Sequence, residues 1–449
     1  MARTISSGGK VAFFLTLILL FRCASTMAQS IVQQPLDSPR LQSLRIELDR
    51  GGVGVLDAFW KEVDRTGTPL VEEIKGDDKN LLVTFIRRAK EENKYFVIFP
   101  MARANPLRHL MSQLPDTDLY YKSYQMRRDA RFEYLISSND SLSAFAVEDP
   151  SRKGGWLESL RPDPLNPNRF VEPKDTDSPG SAEEINSIVE LPDAPRQTFV
   201  RARPGVAKGN VDLIRYASAT LKNERRLWIY TPPGYDQSRE PYGLLILFDG
   251  WQYSQLMGTP TILDNMIADG VISPLVVVML DHVDRFQELA MNAAFTDFVA
   301  SELVSWLQQK YHVTKKAEQR IIGGLSLGGL AATYTAMRHS DVFGNVLAQS
   351  GSFQFRSDDE KGLIRQFVLT RKLSIHFYLE AGLLETGDSP SLLDSNRHLR
   401  DVLEAKGYDV KYSEFNGRHD HICWRGSLSQ GIISLMTNES SKRLERTRR

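Results

Sequence analysis

From residue 209 onward the chain alternates two textures, and that alternation constrains its fold more than any other feature. VDLIRYAS, RRLWIYTP, GLLILFD, PLVVVML, QRIIGG, GNVLAQS, SIHFYLEAG and DVKYSEF are β-rich runs. Between them MNAAFTDFVASELVSWLQQKY, GLAATYTAMRHS and LLDSNRHLRDVLEAKG carry apolar residues at helical spacing. Strands that are apolar along their whole length must be covered on both faces. The alternation therefore predicts a mostly parallel sheet between two layers of helices.

One junction in this pattern carries chemistry. Gly324-Leu325-Ser326-Leu327-Gly328 fits G-x-S-x-G, with β-like QRIIG before it and helical GLAATYTAM after it. A tight strand-to-helix turn lifts the serine hydroxyl above the sheet, and glycines are needed where a Cβ would strike backbone. Ser326 is thus the expected nucleophile of an α/β-hydrolase-type domain. The amide of Leu327, first in the helix, is expected to point where an oxyanion would form.

A serine hydroxyl needs a base, and the base an orienting acid; in this fold class they follow in the order serine, acid, histidine. Of the histidines after Ser326, His376 falls in a strand, His398 in a helix and His339 at a helix end, where packing or the helix dipole accounts for it. FNGRHDHICW lies beyond the last strand, at the carboxyl end of a sheet, so His419 or His421 is the expected base. Two close histidines without a third placed ligand do not make a metal site. The strand SIHFYLEAG ends near Glu385, the best-placed acid, with Asp388 close behind and Asp394 better read as a helix-start residue.

Before residue 209 the chain reads differently. NLLVTFIRRA, KYFVIFPMA and RFEYLISS are aromatic and β-branched runs between turn signals, which predict a small β-sandwich-like domain over 29–170. Residues 37–65 fit both a helix (Leu41, Leu44, Leu48) and a strand (Leu44, Ile46, Leu48). A stretch rich in proline, aspartate and glycine follows, and 171–208 is expected to be a linker to the α/β-hydrolase-type domain over 209–438, with a basic tail over 439–449. Lysine plus arginine equals aspartate plus glutamate at 56 each, so net charge gives no basis for nucleic-acid binding.

Arg3 and Lys10 precede an apolar run from Val11 to Phe21 and small residues up to Ala28, a secretory leader pattern with cleavage expected after Ala28. The run is short for a membrane span, and Arg22 fits poorly before a lipid-attached Cys23. The expectation is an exported chain, periplasmic or secreted, with no stable membrane insertion after cleavage. Only Cys23 and Cys423 are present, so the mature chain would hold no internal disulfide.

With these residues in hand, the chain resembles the enterochelin (enterobactin) esterase family in its two-domain form. GLSLGGLAATYTAMRHSDVFGNVLAQSGSF and HDHICWRGSLSQGI resemble the family's nucleophile region and histidine loop, while FWKEVDRTGTPLVE, LPDTD and DPLNP resemble its amino-terminal domain. The resemblance spans about 55–435. It implies Ser326 as nucleophile, His419 rather than His421 as base, and Glu385 in the place of the acid. It also implies that Gly250 or Trp251, in Asp249-Gly250-Trp251, supplies a second oxyanion amide. Arg285, Glu288 and Leu289 match an Arg-x-x-Glu-Leu signature beside the substrate.

Two positions depart: Arg418 and Asp116 stand where the family commonly has glycine. The implied partner is a small-molecule siderophore ester, with no cofactor and with iron entering only as part of the substrate. An anionic ferric chelate would call for cations such as Arg285, Arg418, Arg425 and Arg356, and Trp251, Tyr253 or Trp424 could stack on catechol rings. Arg285 could instead pair with Glu288. The competing reading is an exported carbohydrate esterase, feruloyl or acetyl, with a sugar-binding amino-terminal domain.

Overall fold

The computed structural model describes residues 35–99, 106–139, 159–356, 359–387 and 390–447. The expected leader and Asp388 lie outside them.

Residues 37–65 form two helices, Pro39–Asp49 and Val55–Thr66. Ser38 caps the first, its hydroxyl accepting from the Leu41 amide, and Pro39 opens it. Leu41 and Leu44 are buried while Ile46 is 51% exposed, so the helical spacing prevails over the alternating one.

Among the described residues, seven strands follow in two antiparallel sheets, joined by two further strands from residues 169–190. In the first sheet the order is β1 (Leu70–Ile74), β2 (Asp77–Arg88), β5 (Leu119–Arg127), β4 (Ser112–Gln113). In the second it is β3 (Phe96–Phe99), β6 (Arg131–Ser138), β9 (Glu184–Glu190), β8 (Arg169–Glu172), with β7 (Leu160–Arg161) on β6. Val83 and Phe85 of the first sheet pack against Phe96, Phe132 and Tyr134 of the second in one buried cluster. The alternate residue Ile86 points the other way, under the two helices with Phe59 and Trp60. Asp116 adopts φ +57, in the left-handed region glycine favours, which accounts for a glycine at that place in the resembled family.

The expected linker is corrected here. Within 171–208, β9 pairs with both β6 and β8, and Ile188 and Val189 enter the core. The apolar period of INSIVEL is short enough to be masked by the acidic and serine-rich residues around it. The residues beyond are tied to the second domain, the Asn265 side chain donating to the carbonyls of Phe199 and Arg201.

The second domain holds an eight-stranded sheet. Its order is β10 (Asn210–Ala217), β11 (Glu224–Thr231), β13 (Leu275–Leu280), β12 (Gly243–Phe248), β14 (Arg320–Leu325), β15 (Asn345–Gln349), β16 (His376–Gly382), β17 (Asp409–Phe415). The first two contacts are antiparallel and the rest parallel. Alternate residues serve opposite layers. Leu244, Ile246 and Phe248 pack with the helices around Phe298 and Leu330, whereas Leu245 and Leu247 pack with Ile262 and Leu428. The last helix, His421–Thr447, runs through the expected basic tail, which is therefore helical to Thr447. Among the described residues no helix is long and apolar enough to cross a membrane.

Candidate active site

The turn between β14 and the helix Leu327–Arg338 holds Ser326 at φ 56 and ψ −121, a region costly for any residue with a Cβ. Its neighbours make the turn possible. A Cβ on Gly324 would lie 2.4 Å from the carbonyl carbon of Gly328, and one on Gly328 would lie 2.7 Å from Asp249 Oδ2. The backbone around Ser326 is pinned, its amide donating to the Gln349 carbonyl (2.9 Å) and its carbonyl accepting from the Ser352 amide (3.0 Å). Ser326 makes no side-chain cap on the helix, and the Leu327 amide, first in that helix, has no intrahelical partner.

Facing this turn is the end of β12. Asp249 adopts φ +59 and its carbonyl accepts from the Tyr253 amide, so the amides of Gly250 and Trp251 precede the first bond of the π-helical turn Gln252–Leu256. A Cβ on Gly250 would come within 2.6 Å of the Met279 carbonyl oxygen, so only glycine fits there. The buried Asp249 carboxylate is gripped by Arg285, with Nε 2.7 Å and Nη2 2.9 Å from its oxygens.

The loop after β17 brings His419 to the serine. Nε2 lies 2.9 Å from Ser326 Oγ and Nδ1 lies 3.1 Å from Glu385 Oε1. With its proton on Nδ1, the ring donates to the carboxylate and accepts from the serine hydroxyl. Trp424 meets the imidazole edge-on with ring centres 4.6 Å apart, and its Nε1 donates to Ser350 Oγ (3.0 Å). Beneath, Glu380 accepts from Gln349, Tyr378 and Ser427, and burial pushes its carboxyl up to about 7.

The structure thus brings Ser326, His419 and Glu385 together, with Leu327 following the serine in the chain and the turn that holds Gly250 and Trp251 beside the Gly328 end of the elbow. His421 points elsewhere, to Glu172 (3.2 Å). Several expected substrate contacts are corrected. Glu288 is buried and bound at both oxygens by Arg225 (2.9 Å each), because its side chain turns inward from the short helix Arg285–Leu289. Arg285 therefore pairs with Asp249, not Glu288, and ties its helix to the turn that follows β12. Trp424 is buried, unavailable for stacking on a substrate. Arg425 donates to Gln197 Oε1 (3.0 Å) and lies over Phe170, joining the two domains.

Arg418 is half-buried and its charge reaches the amino-terminal domain. Burial, with the charges of Lys122, Arg418 and Arg108, pulls the His109 imidazole down to about 4. Arg356 is exposed above the Phe355 ring, which meets the 55% exposed Phe286 edge to face.

Ser352 is a neighbour that the sequence did not single out, its Oγ 3.3 Å from that of Ser326. Its place just beyond the end of β15 was the available signal. Among the described residues no group of three or more His, Cys, Asp or Glu is arranged to hold a metal ion.

A hydroxyl, an imidazole and a carboxylate in this order, at the start of a helix, can pass the serine proton away as the oxygen attacks a carbonyl. On a mostly parallel sheet, that arrangement defines a serine carboxylic-ester hydrolase of the α/β-hydrolase type. Comparison with known proteins agrees: the family model described as "Putative esterase" matches residues 218–435, and that described as "Enterochelin esterase, N-terminal" matches 82–200. The chain belongs to the enterochelin esterase family.

The iron(III) enterobactin esterase of Escherichia coli O6:H1 is 29% identical over 339 residues, covering 72% of this chain and 81% of that protein. That of Dickeya dadantii is 27% identical over 434 residues, covering 87% and 95%. The crystal structure of ferric enterobactin esterase from Salmonella typhimurium superposes with a TM-score of 0.69 at 26% identity, over 85% of this chain and 99% of that one. The Shigella flexneri enterobactin esterase, crystallised in the presence of enterobactin, gives 0.66 at 25% identity, over 85% and 98%.

Proposed function

We propose that this protein hydrolyses the ester bonds of a ferric catecholate siderophore of the enterobactin type, with Ser326 as nucleophile, His419 as base and Glu385 as its orienting acid. The observation that carries the chemistry is the continuous contact from Ser326 Oγ through His419 to Glu385. As Ser326 attacks a lactone carbonyl, its proton moves to His419 Nε2, and the amides of Leu327 and of Gly250 or Trp251 receive the oxyanion. Collapse expels the ring alcohol, which takes the proton back, and leaves an acyl-serine. Water activated by His419 then frees the acid. Cutting the trilactone unties the catechols from one another, and their effective concentration around one iron falls.

Relatives that match both domains support the substrate, being named for enterobactin or salmochelin. The rim of Phe286, Phe355 and Arg356 offers aromatic faces and a cation to an anionic aryl group. The reading includes no resident cofactor, iron arriving only with the substrate. On the strength of the leader-like first 28 residues it also includes export, which fractionation of expressing cells would check.

Purified protein incubated with ferric and iron-free enterobactin, with and without a chelator, should release dihydroxybenzoyl-serine fragments, and Ser326→Ala should release none. An intact trilactone alongside cleaved feruloylated xylan would overturn the substrate reading. Hydrolysis surviving Ser326→Ala would overturn the mechanism.

A further inference from the structure

The loop that carries His419 is fastened to the amino-terminal domain by carboxyl groups the reaction does not use. Strand β6 runs alongside it. The Arg131 amide donates to the Asn416 carbonyl (3.0 Å), and the Arg131 carbonyl accepts from Cys423 Sγ (3.1 Å). The Glu133 amide donates to Asp420 Oδ2 (3.0 Å), while Asp420 Oδ1 accepts from the Cys423 amide (3.0 Å). Glu133 reaches back, Oε1 accepting from the Ile422 amide (3.1 Å) and Oε2 from Asn186 Nδ2 (2.7 Å). The backbone is thus held on both sides of His419, at Asn416 before it and from Asp420 to Cys423 after it.

The charges around this fastening do not balance simply. Glu133 and Asp420 face one another, with Glu172 as a third carboxylate, and the cations that face them are His421 and Arg425. Withdrawal from water pushes both carboxyls up, Glu133 to about 8 with the charge of Asp420 adding to the rise, while the Glu133 and Cys423 amides work against the rise at Asp420. For His421, burial favours the neutral ring. Glu172, Glu133 and Asp420 outweigh it and hold that imidazole above its ordinary value.

We infer that Glu133 and Asp420 form a two-carboxyl clamp by which the amino-terminal domain fixes the position of His419. Glu133 is then a positioning residue for ester hydrolysis, acting through a loop on the other domain. The inference rests on His419 as base, which Ser326→Ala and His419→Ala test separately. It is independent of the siderophore, because it is read on a neutral ester.

The sign of the pH effect follows from the carboxyl. Its folded-state value is raised, so the clamp is complete at low pH and is lost as pH rises through about 8, when two like charges are left facing each other. Hydrolysis of p-nitrophenyl butyrate by the full chain, from about pH 6 to 10, is the assay. Wild-type kcat should fall on the alkaline side. Glu133→Gln mimics the neutral acid and still accepts from Ile422 while Asn186 turns its amide, so its alkaline fall should move up by about one pH unit or vanish.

Glu133→Ala should lose about tenfold or more in kcat with little change in KM, and Glu133→Gln should restore most of it at neutral pH. An alkaline limb identical in Glu133→Gln and wild type would overturn the clamp, as would wild-type kcat in Glu133→Ala. If the alanine variant does not fold, the glutamine comparison decides alone.

Discussion

Replacing Glu385 tests the catalytic relay where its physics is most exposed. The Glu385 side chain is wholly shielded from solvent, with Oε1 3.1 Å from His419 Nδ1. Its second oxygen receives no hydrogen bond among the described residues, so the charge is directed largely at the imidazole. During attack that imidazole becomes a cation. Two unit charges at this separation attract by about 5 kcal/mol at an effective dielectric near 20. Spreading them over two oxygens and a ring leaves about 3–4 kcal/mol of transition-state stabilisation, or about 10²–10³ in rate.

Glu385→Ala should lower kcat on p-nitrophenyl butyrate by that factor and leave KM within about twofold, since the neutral ground state gains little from the carboxylate. Glu385→Gln, which still orients the ring but is uncharged, should fall between alanine and wild type. Ser326→Ala sets the background rate. If Glu385→Ala stays within about threefold of wild type, the electrostatic argument is refuted. A larger loss in Asp388→Ala would move the acid to the other candidate in that loop.

Other outcomes follow from named contacts. Gly324→Ala drives a methyl to 2.4 Å from the Gly328 carbonyl carbon, so it should abolish hydrolysis and cost about 1–3 kcal/mol in denaturant unfolding. Arg285→Lys keeps the charge but loses the two-point grip on Asp249, and kcat should drop about tenfold or more as the Gly250 and Trp251 amides lose their bearing. Glu380 has a folded-state value raised to about 7, so its contribution is full below the ordinary carboxylate range and lost as pH rises through 7. Wild type minus Glu380→Gln stability should therefore decline between pH 5 and 8 by an amount on the order of 2 kcal/mol, and a flat difference would contradict it.

Much of the catalytic domain was legible because its rules are local. Parallel strands buried on both faces read as continuous apolar runs, and the elbow declares itself through glycines that no other residue can replace. The order serine, acid, histidine then narrowed the search to loops at strand ends. What stayed hidden was set by partners distant in sequence. Arg285 meets Asp249, 36 residues away, and Glu288 meets Arg225, 63 away, and no spacing rule selects those partners over solvent or substrate. Trp424 read as a candidate stacking surface because an aromatic on a loop looks the same whether it faces outward or under a histidine. Strand β9 was missed because its short apolar period lies in polar surroundings and is completed only by β6 and β8.

The position of His419 after both Ser326 and Glu385 in the chain sets an order of assembly. As the polypeptide leaves the ribosome, the sandwich and most of the large sheet emerge before residue 419, and domains generally fold as units from the amino terminus. Ser326 and Glu385 then exist for a time without a base, while β6 already presents the backbone on which residues 416–423 will settle. Reactivity would switch on only once residues 416–423 have settled, so a chain cut short before them carries an inert serine.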